Sequence, residues 1–251
     1  MLIRTLIAFI LLAISVTAGD IAKVWPKGVS EKLVYNINVY TPKKVTNSLT
    51  VTITRLDTAG VVFESEQVIK IIEQDIKMAS IERFEGDDLI LIESENYYKF
   101  SPEIAQARGV DSIFIRAFKD GDSLRIRSNY TGAVPGAMPY YDGLTTTTGS
   151  LLTSRNKNFT PGYRNELAFV NLLLMTGKPY EAYPAADSVM GLVTVTVPAG
   201  TFECHKVRND AINAFGYTYF TKDGLHTPVK TEMLDFETGE PITELILMNK
   251  E

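Results

Sequence analysis

Hydrophobic and polar residues alternate along most of this chain with a period of two. Leu49, Val51 and Ile53 are separated by Thr50, Thr52 and Thr54, and Leu33, Tyr35, Ile37 and Val39 keep the same rhythm, with Val34 as the one interruption. Ile113 and Ile115 precede a "KDGD" stretch, and Leu124 and Ile126 follow it. Further turn-forming stretches recur, among them "DTAG" at 57–60, "EGDD" at 85–88, "TKDG" at 221–224 and "ETGE" at 237–240. Side chains of a strand point alternately to opposite faces, so this pattern predicts half-buried antiparallel strands joined by turns, about ten to twelve of them.

One segment departs from the alternation. "TPGYRNELAFVNLLLMTGKP", Thr160 to Pro179, is apolar through most of its interior. Thr160 reads as an N-cap with Pro161 behind it, Gly177 as the closing residue and Pro179 as a stop, so the stretch predicts a helix of about four turns. A helix apolar nearly all round is an enclosed one. The expected architecture is therefore mainly β: a single, strongly curved antiparallel sheet, an open half-barrel, wrapped around one apolar helix. On that helix Leu167, Val170 and Leu174 would share a face turned to the concave side of the sheet, as candidate contacts for an apolar ligand. Before it, Ser128 to Ser150 carries glycines, prolines and a threonine run, and reads as a long loop with a short strand at the threonines. Tyr130, Met138, Tyr140 and Tyr141 in that loop would suit a flap over the mouth.

The chain's single cysteine, Cys204, and one of its two histidines, His205, stand together in "VTVPAGTFECHKVR". Val193, Val195 and Val197 alternate with threonines, Pro198-Ala199-Gly200 turns the chain, and Thr201 resumes a strand, so the stretch is a hairpin. Neighbours on a strand face opposite ways, and Cys204 and His205 cannot serve one centre. Cys204 is expected to be a small buried residue. His205 is expected to face solvent beside Glu203. His226 lies in a turn without metal-ligand spacing. No nucleophile elbow, dinucleotide loop or phosphate loop is present, and no carboxylate pair stands out, so no catalytic residue, metal or cofactor is assigned.

Composition narrows the setting. The first residues, "MLIRTLIAFILLAISVTAGD", place Arg4 before an apolar run and a small-residue cleavage motif, which predicts a signal peptide over residues 1–18 and one domain over 19–251. Without residues 1–18 the chain holds 24 basic and 30 acidic side chains, a balance that gives no electrostatic footprint for nucleic acid. One cysteine cannot form an internal disulfide, so stability rests on an apolar core.

The hairpin "VPAGTFECHKVR", followed by "TPVKTEMLDFETGEPITELIL", resembles a family of exported bacterial proteins that carry a domain of unknown function. Gly200, Phe202, Pro228, Val229 and Gly239 carry the match, and the resemblance runs from about Leu33 onward. That domain is in turn similar to the lipoprotein-sorting proteins LolA and LolB, open half-barrels whose apolar concave face is plugged by helices. The resemblance implies a soluble periplasmic half-barrel whose partner is a lipid, an acyl chain or a lipoprotein. It transfers no catalytic residue, and this chain departs from the pattern in showing one helix where those proteins have several. The alternative is a structural or interaction protein of the cell envelope, with a protein partner and no ligand. An enzyme is not expected.

Overall fold

The computed structural model describes residues 21–40, 44–58, 61–71, 76–86, 88–129, 136–141, 144–146, 149–170, 182–211 and 214–251. The expected signal peptide, Tyr130, and residues 171–179 of the expected helix, Leu174 among them, lie outside them. The first half of the chain forms β1 (Ser30–Val39), β2 (Val45–Thr58), β3 (Val61–Ile71), β4 (Ile76–Glu85), β5 (Ile90–Lys99), β6 (Ser112–Asp120), β7 (Ser123–Ser128) and β8 (Gly136–Pro139). The second half forms β9 (Thr145–Thr146), β10 (Arg164–Val170), β11 (Ala182–Val197), β12 (Gly200–Ala211), β13 (Ala214–Thr221), β14 (Pro228–Asp235) and β15 (Pro241–Lys250).

All belong to one 15-stranded sheet ordered β8-β7-β6-β5-β4-β3-β2-β1-β15-β14-β13-β12-β11-β10-β9. Each half is a meander of sequential antiparallel pairs. The halves are zipped where β1 meets β15, Tyr35 opposite Leu247 and Ile37 opposite Leu245. The exception to antiparallel pairing is the short β9–β10 contact. The strand number exceeds the ten to twelve expected: β8 and β9 are short strands inside a glycine-rich stretch, and β10 stands where a helix was expected.

Topology forces the curvature. Laid flat, fifteen strands would span about 65 Å. The edge strands β8 and β9 are separated in sequence only by residues 140–144, which reach about 20 Å at most. The sheet therefore coils back on itself. It does not close edge to edge: β9 comes up against β5 instead. The inward positions of the strands build one apolar cluster that includes Leu33, Tyr35, Ile37, Val51, Ile53, Phe63, Phe84, Ile113, Ile115, Leu124 and Leu247. Close approach has a cost in side chains. A Cβ on Gly216 of β13 would stand 2.3 Å from the Glu232 carbonyl oxygen of β14, so only glycine fits there.

The helices among the described residues are short. They are α1 (Ile21–Val24), α2 (Pro102–Arg108) and α3 (Ser150–Thr153), the last continued by a 3₁₀ turn, Ser154–Asn156. The expected helix from Thr160 is corrected: Arg164–Val170 is strand β10, paired along its length with β11. Thr160-Pro161-Gly162-Tyr163 is a β-turn, with the Tyr163 N–H donating to the Thr160 carbonyl at 3.0 Å and Gly162 at φ +85°. Proline second and a positive-φ glycine third are the signature of a type II turn, and the same two residues had read as a helix start. An apolar run serves equally well in a strand bonded on both sides, which β10 is at its C-terminal end.

Candidate functional site

Among the described residues, the element inside the coil is α3 and its flanks. From Ser150 to Lys157 every side chain is buried, in the sequence "SLLTSRNK". This strap enters after β9. The Thr146 hydroxyl accepts from the Gly149 N–H at 2.8 Å, and a Cβ on Gly149 would lie 2.9 Å from the Phe84 ring of β4. Leu151 and Leu152 join the main apolar cluster. Two buried cations then tie the strap to opposite halves of the sheet.

Arg155, 1% exposed, donates from Nη1 to Glu31 Oε2 of β1 at 2.5 Å and from Nε to the Leu151 carbonyl at 3.2 Å. Its guanidinium lies over the Trp25 ring, 5.5 Å from the centroid. The other Glu31 oxygen accepts from the Thr227 hydroxyl at 3.1 Å and faces Lys250 Nζ at 2.8 Å. Burial raises the Glu31 pKa, but the charges of Arg155 and Lys250 and their hydrogen bonds outweigh it and hold the carboxyl below its ordinary range.

Lys157 bonds to Asp187 of β11 at 2.8 Å and covers the Phe220 ring at 4.7 Å. The chain of donors continues across the sheet: Asn209 to Asp187, Thr218 to Asn209, and Thr231 to Thr218. Burial pushes Lys157 down and Asp187 up, each toward its neutral form, against the pull of the pair itself. Beyond Lys157, Phe159 stacks on both histidines, with centroids 4.8 Å from His205 and 4.2 Å from His226, and the histidines stand 5.8 Å apart. His205 is therefore half-buried with its Nδ1 enclosed, which corrects the solvent-facing expectation. Both imidazoles are held below their ordinary pKa, chiefly by burial; the other imidazole and Lys222 add to this at His205, while at His226 the Thr221 carbonyl and Asp223 pull the other way.

A second polar surface lies on the inner face of β3, β4 and β5. Ser65, Glu82 and Ser94 stand opposite one another, as do Gln67, Ser80 and Asn96. All are buried. Ser94 donates to Glu82 at 2.8 Å and Asn96 to Ser94 at 2.8 Å. These two polar rows lie between an apolar row of Phe63, Phe84 and Leu91 and another of Ile69, Met78 and Tyr98.

The residues singled out from sequence are only partly brought together. Val170 is buried and shares the main cluster with Met138, which sits on β8 as a strand residue and not on a flap. Tyr140 packs at the edge of that cluster beneath Lys119, and Tyr141 is exposed. Leu167 lies on β10, not on a helix. Cys204 is fully buried as expected, and burial pushes its thiol up to about 11. Sequence reasoning missed the polar interior. The signal was there: Glu31 is in phase with Leu33, Tyr35 and Ile37, and Glu82 with Met78 and Phe84, so both are carboxylates at inward positions.

Among the described residues no cluster of three or more His, Cys, Asp or Glu is placed to hold a metal ion, and no helix is long and apolar enough to cross a membrane. No family model matches the chain, and no curated protein matches it. Solved structures do match. A beta-barrel-like protein of the domain of unknown function DUF1849, from Brucella abortus, is similar with a TM-score of 0.55 and 7% identity, over 90% of this chain and 98% of that one. A candidate lipoprotein from Parabacteroides distasonis (TM-score 0.34, 10% identity, 90% of this chain and 97% of that one) and a LolA superfamily protein from Nitrosomonas europaea (0.29, 12%, 94% of each) are more distant. The fold is thus that of a barrel-like domain of unknown function, in line with the likeness read from the C-terminal hairpins.

Proposed function

We propose that this chain is an exported envelope protein that takes an amphiphile, or the acyl chain of one, into the interior of its coiled sheet, and that the strap 149–157 is the element that gives way. One observation carries the reading. The interior is divided into apolar and polar rows, and the segment filling it is tied to the wall through Arg155 and Lys157, at contacts that water or a ligand head group can replace. A core whose only task is stability gains little from buried ion pairs, which apolar side chains of similar volume equal or better. The periplasmic location follows from the predicted signal peptide, and N-terminal sequencing of the exported protein should begin at or near Gly19. No catalytic step is assigned, since Glu31 and Asp187 are each engaged by a cation and by hydroxyl or amide donors.

The alternative, an envelope protein with a filled core and a protein partner, is favoured by the continuity of the apolar cluster through Leu151 and Leu152. Native mass spectrometry of the exported protein, with organic extraction, separates the two. A co-purified amphiphile supports the first reading, and a ligand-free protein that retains a partner protein supports the second.

A further inference from the structure

The two polar surfaces inside the sheet are treated differently. On β11–β14, Asp187, Asn209, Thr218 and Thr231 form one connected chain that Lys157 of the strap completes. On β3 and β4 the hydroxyls of Ser65 and Ser80 have no hydrogen-bond partner, although the residues are 0% and 4% exposed. They are diagonal neighbours across the pair, Ser65 opposite Glu82 and Ser80 opposite Gln67. Native interiors rarely leave such groups unpaired without a reason.

We infer that the inner face of β3–β5 binds a neutral, hydroxyl-bearing head group, a glycoside or polyol ester on an alkyl chain. The inference rests on the amphiphile reading above and names its ligand class. Each serine hydroxyl offers a donor and acceptors, Gln67 and Asn96 offer amides, and Glu82 accepts. A ligand hydroxyl both donates and accepts, so a ring bearing several of them can pair with both serine hydroxyls at once. An anionic head group would meet the Glu82 carboxylate, and an alkyl chain alone would leave the serines as they are. Strands about 4.8 Å apart make the three-strand patch about 10 Å wide, and two inward rows make it about 7 Å deep, the footprint of one sugar ring. The adjoining row of Phe63, Phe84 and Leu91, where Gly149 of the strap now rests, is the seat for the alkyl chain.

The test is calorimetric titration of the full protein with octyl glucoside, methyl glucoside, octanoate and octylammonium, each below its micellar concentration. It is repeated on the Ser65→Ala/Ser80→Ala variant. Octyl glucoside should bind the wild type at least about tenfold more tightly than either charged alkyl compound. The double variant should fold as stably as the wild type, because it loses no bond, and should bind octyl glucoside about tenfold more weakly with octanoate unchanged. Equal binding of all alkyl compounds with indifferent serines overturns this inference and leaves the amphiphile reading standing. Methyl glucoside binding as tightly as octyl glucoside overturns the amphiphile reading and, with it, the inference that rests on it. A less stable double variant with unaltered binding assigns the hydroxyls to bound water and overturns the inference, as does tighter binding of octylammonium. Failure of every compound to bind overturns both.

Discussion

Arg155 and Glu31 meet 2.5 Å apart in the interior, joined across 124 residues of sequence, with the only tryptophan of the chain against the guanidinium. The two ends of the pair are not equivalent. Glu31 keeps Lys250 and Thr227 if Arg155 is lost, whereas Arg155 has no second carboxylate among its described contacts. Glu31→Gln should therefore cost about 3–5 kcal/mol, the penalty for stranding a buried charge, and Arg155→Met clearly less. Denaturant unfolding of both single variants and the double gives the coupling directly. The same carboxyl sets an acid limit. Its folded pKa is lowered, so its contribution is complete above the ordinary carboxylate value and is lost as the pH falls below about 4.

Leu152 of α3 is fully buried within the main cluster. Leu152→Ala in a purely structural core should cost about 2–5 kcal/mol and alter nothing else. In a displaceable strap the same change should also tighten binding of a fluorescent fatty-acid analogue, because less packing is lost when the strap leaves. Unfolding free energy and probe affinity on the one variant decide between these.

The histidine pair predicts a pH dependence in a separate window. Both imidazoles titrate below about 6.5 in the folded protein, near the positive charges of Lys222, Arg155 and Lys157 and the negative charges of Glu203 and Asp223. The unfolded chain then binds more protons than the native one just below pH 6.5, so stability should fall as the pH drops from 7 toward 5. The urea midpoint should follow that course, and His205→Gln/His226→Gln should flatten it. A midpoint that rises on acidification would contradict the assignment.

Cys204 is packed against the core, with its thiol raised to about 11 by burial. Folded protein at pH 8 should react with a thiol reagent only on the timescale of unfolding, and Cys204→Ala should cost about 1 kcal/mol. Rapid labelling of the native state would show that the strand opens locally.

The hairpin from Val193 to Cys204 was legible because alternation and turn chemistry agree: Val197 pairs with Gly200 across Pro198-Ala199. The coil of the sheet was legible in kind from the number of strands. Strand β10 was not, since a proline and a glycine after threonine serve a type II turn as well as a helix start, and tertiary pairing decides. The same vocabulary does make a real helix elsewhere. In α2, Ser101 caps the N-terminus by accepting from the Ile104 N–H, Pro102 follows, and Gly109 at φ +69° closes it. What the alternation pattern could not supply was the content of the interior. A polar residue at an inward position is invisible to a search for apolar faces, and its partner on the strap lies far away in sequence, as Lys157 does from Asp187.

On this reading the strap leaves its seat when an amphiphile enters. Trp25 is the natural reporter, fully buried, edge-on to Phe63 at 5.4 Å and covered by Arg155. Its fluorescence, followed while octyl glucoside is added below the micellar concentration, should shift in a saturable way as Arg155 is withdrawn from the ring, and Glu31→Gln should saturate at lower concentration because the strap is held less firmly. An emission spectrum that stays constant in wild type and variant, while binding is detected by calorimetry, would place the ligand outside the coil and contradict the account.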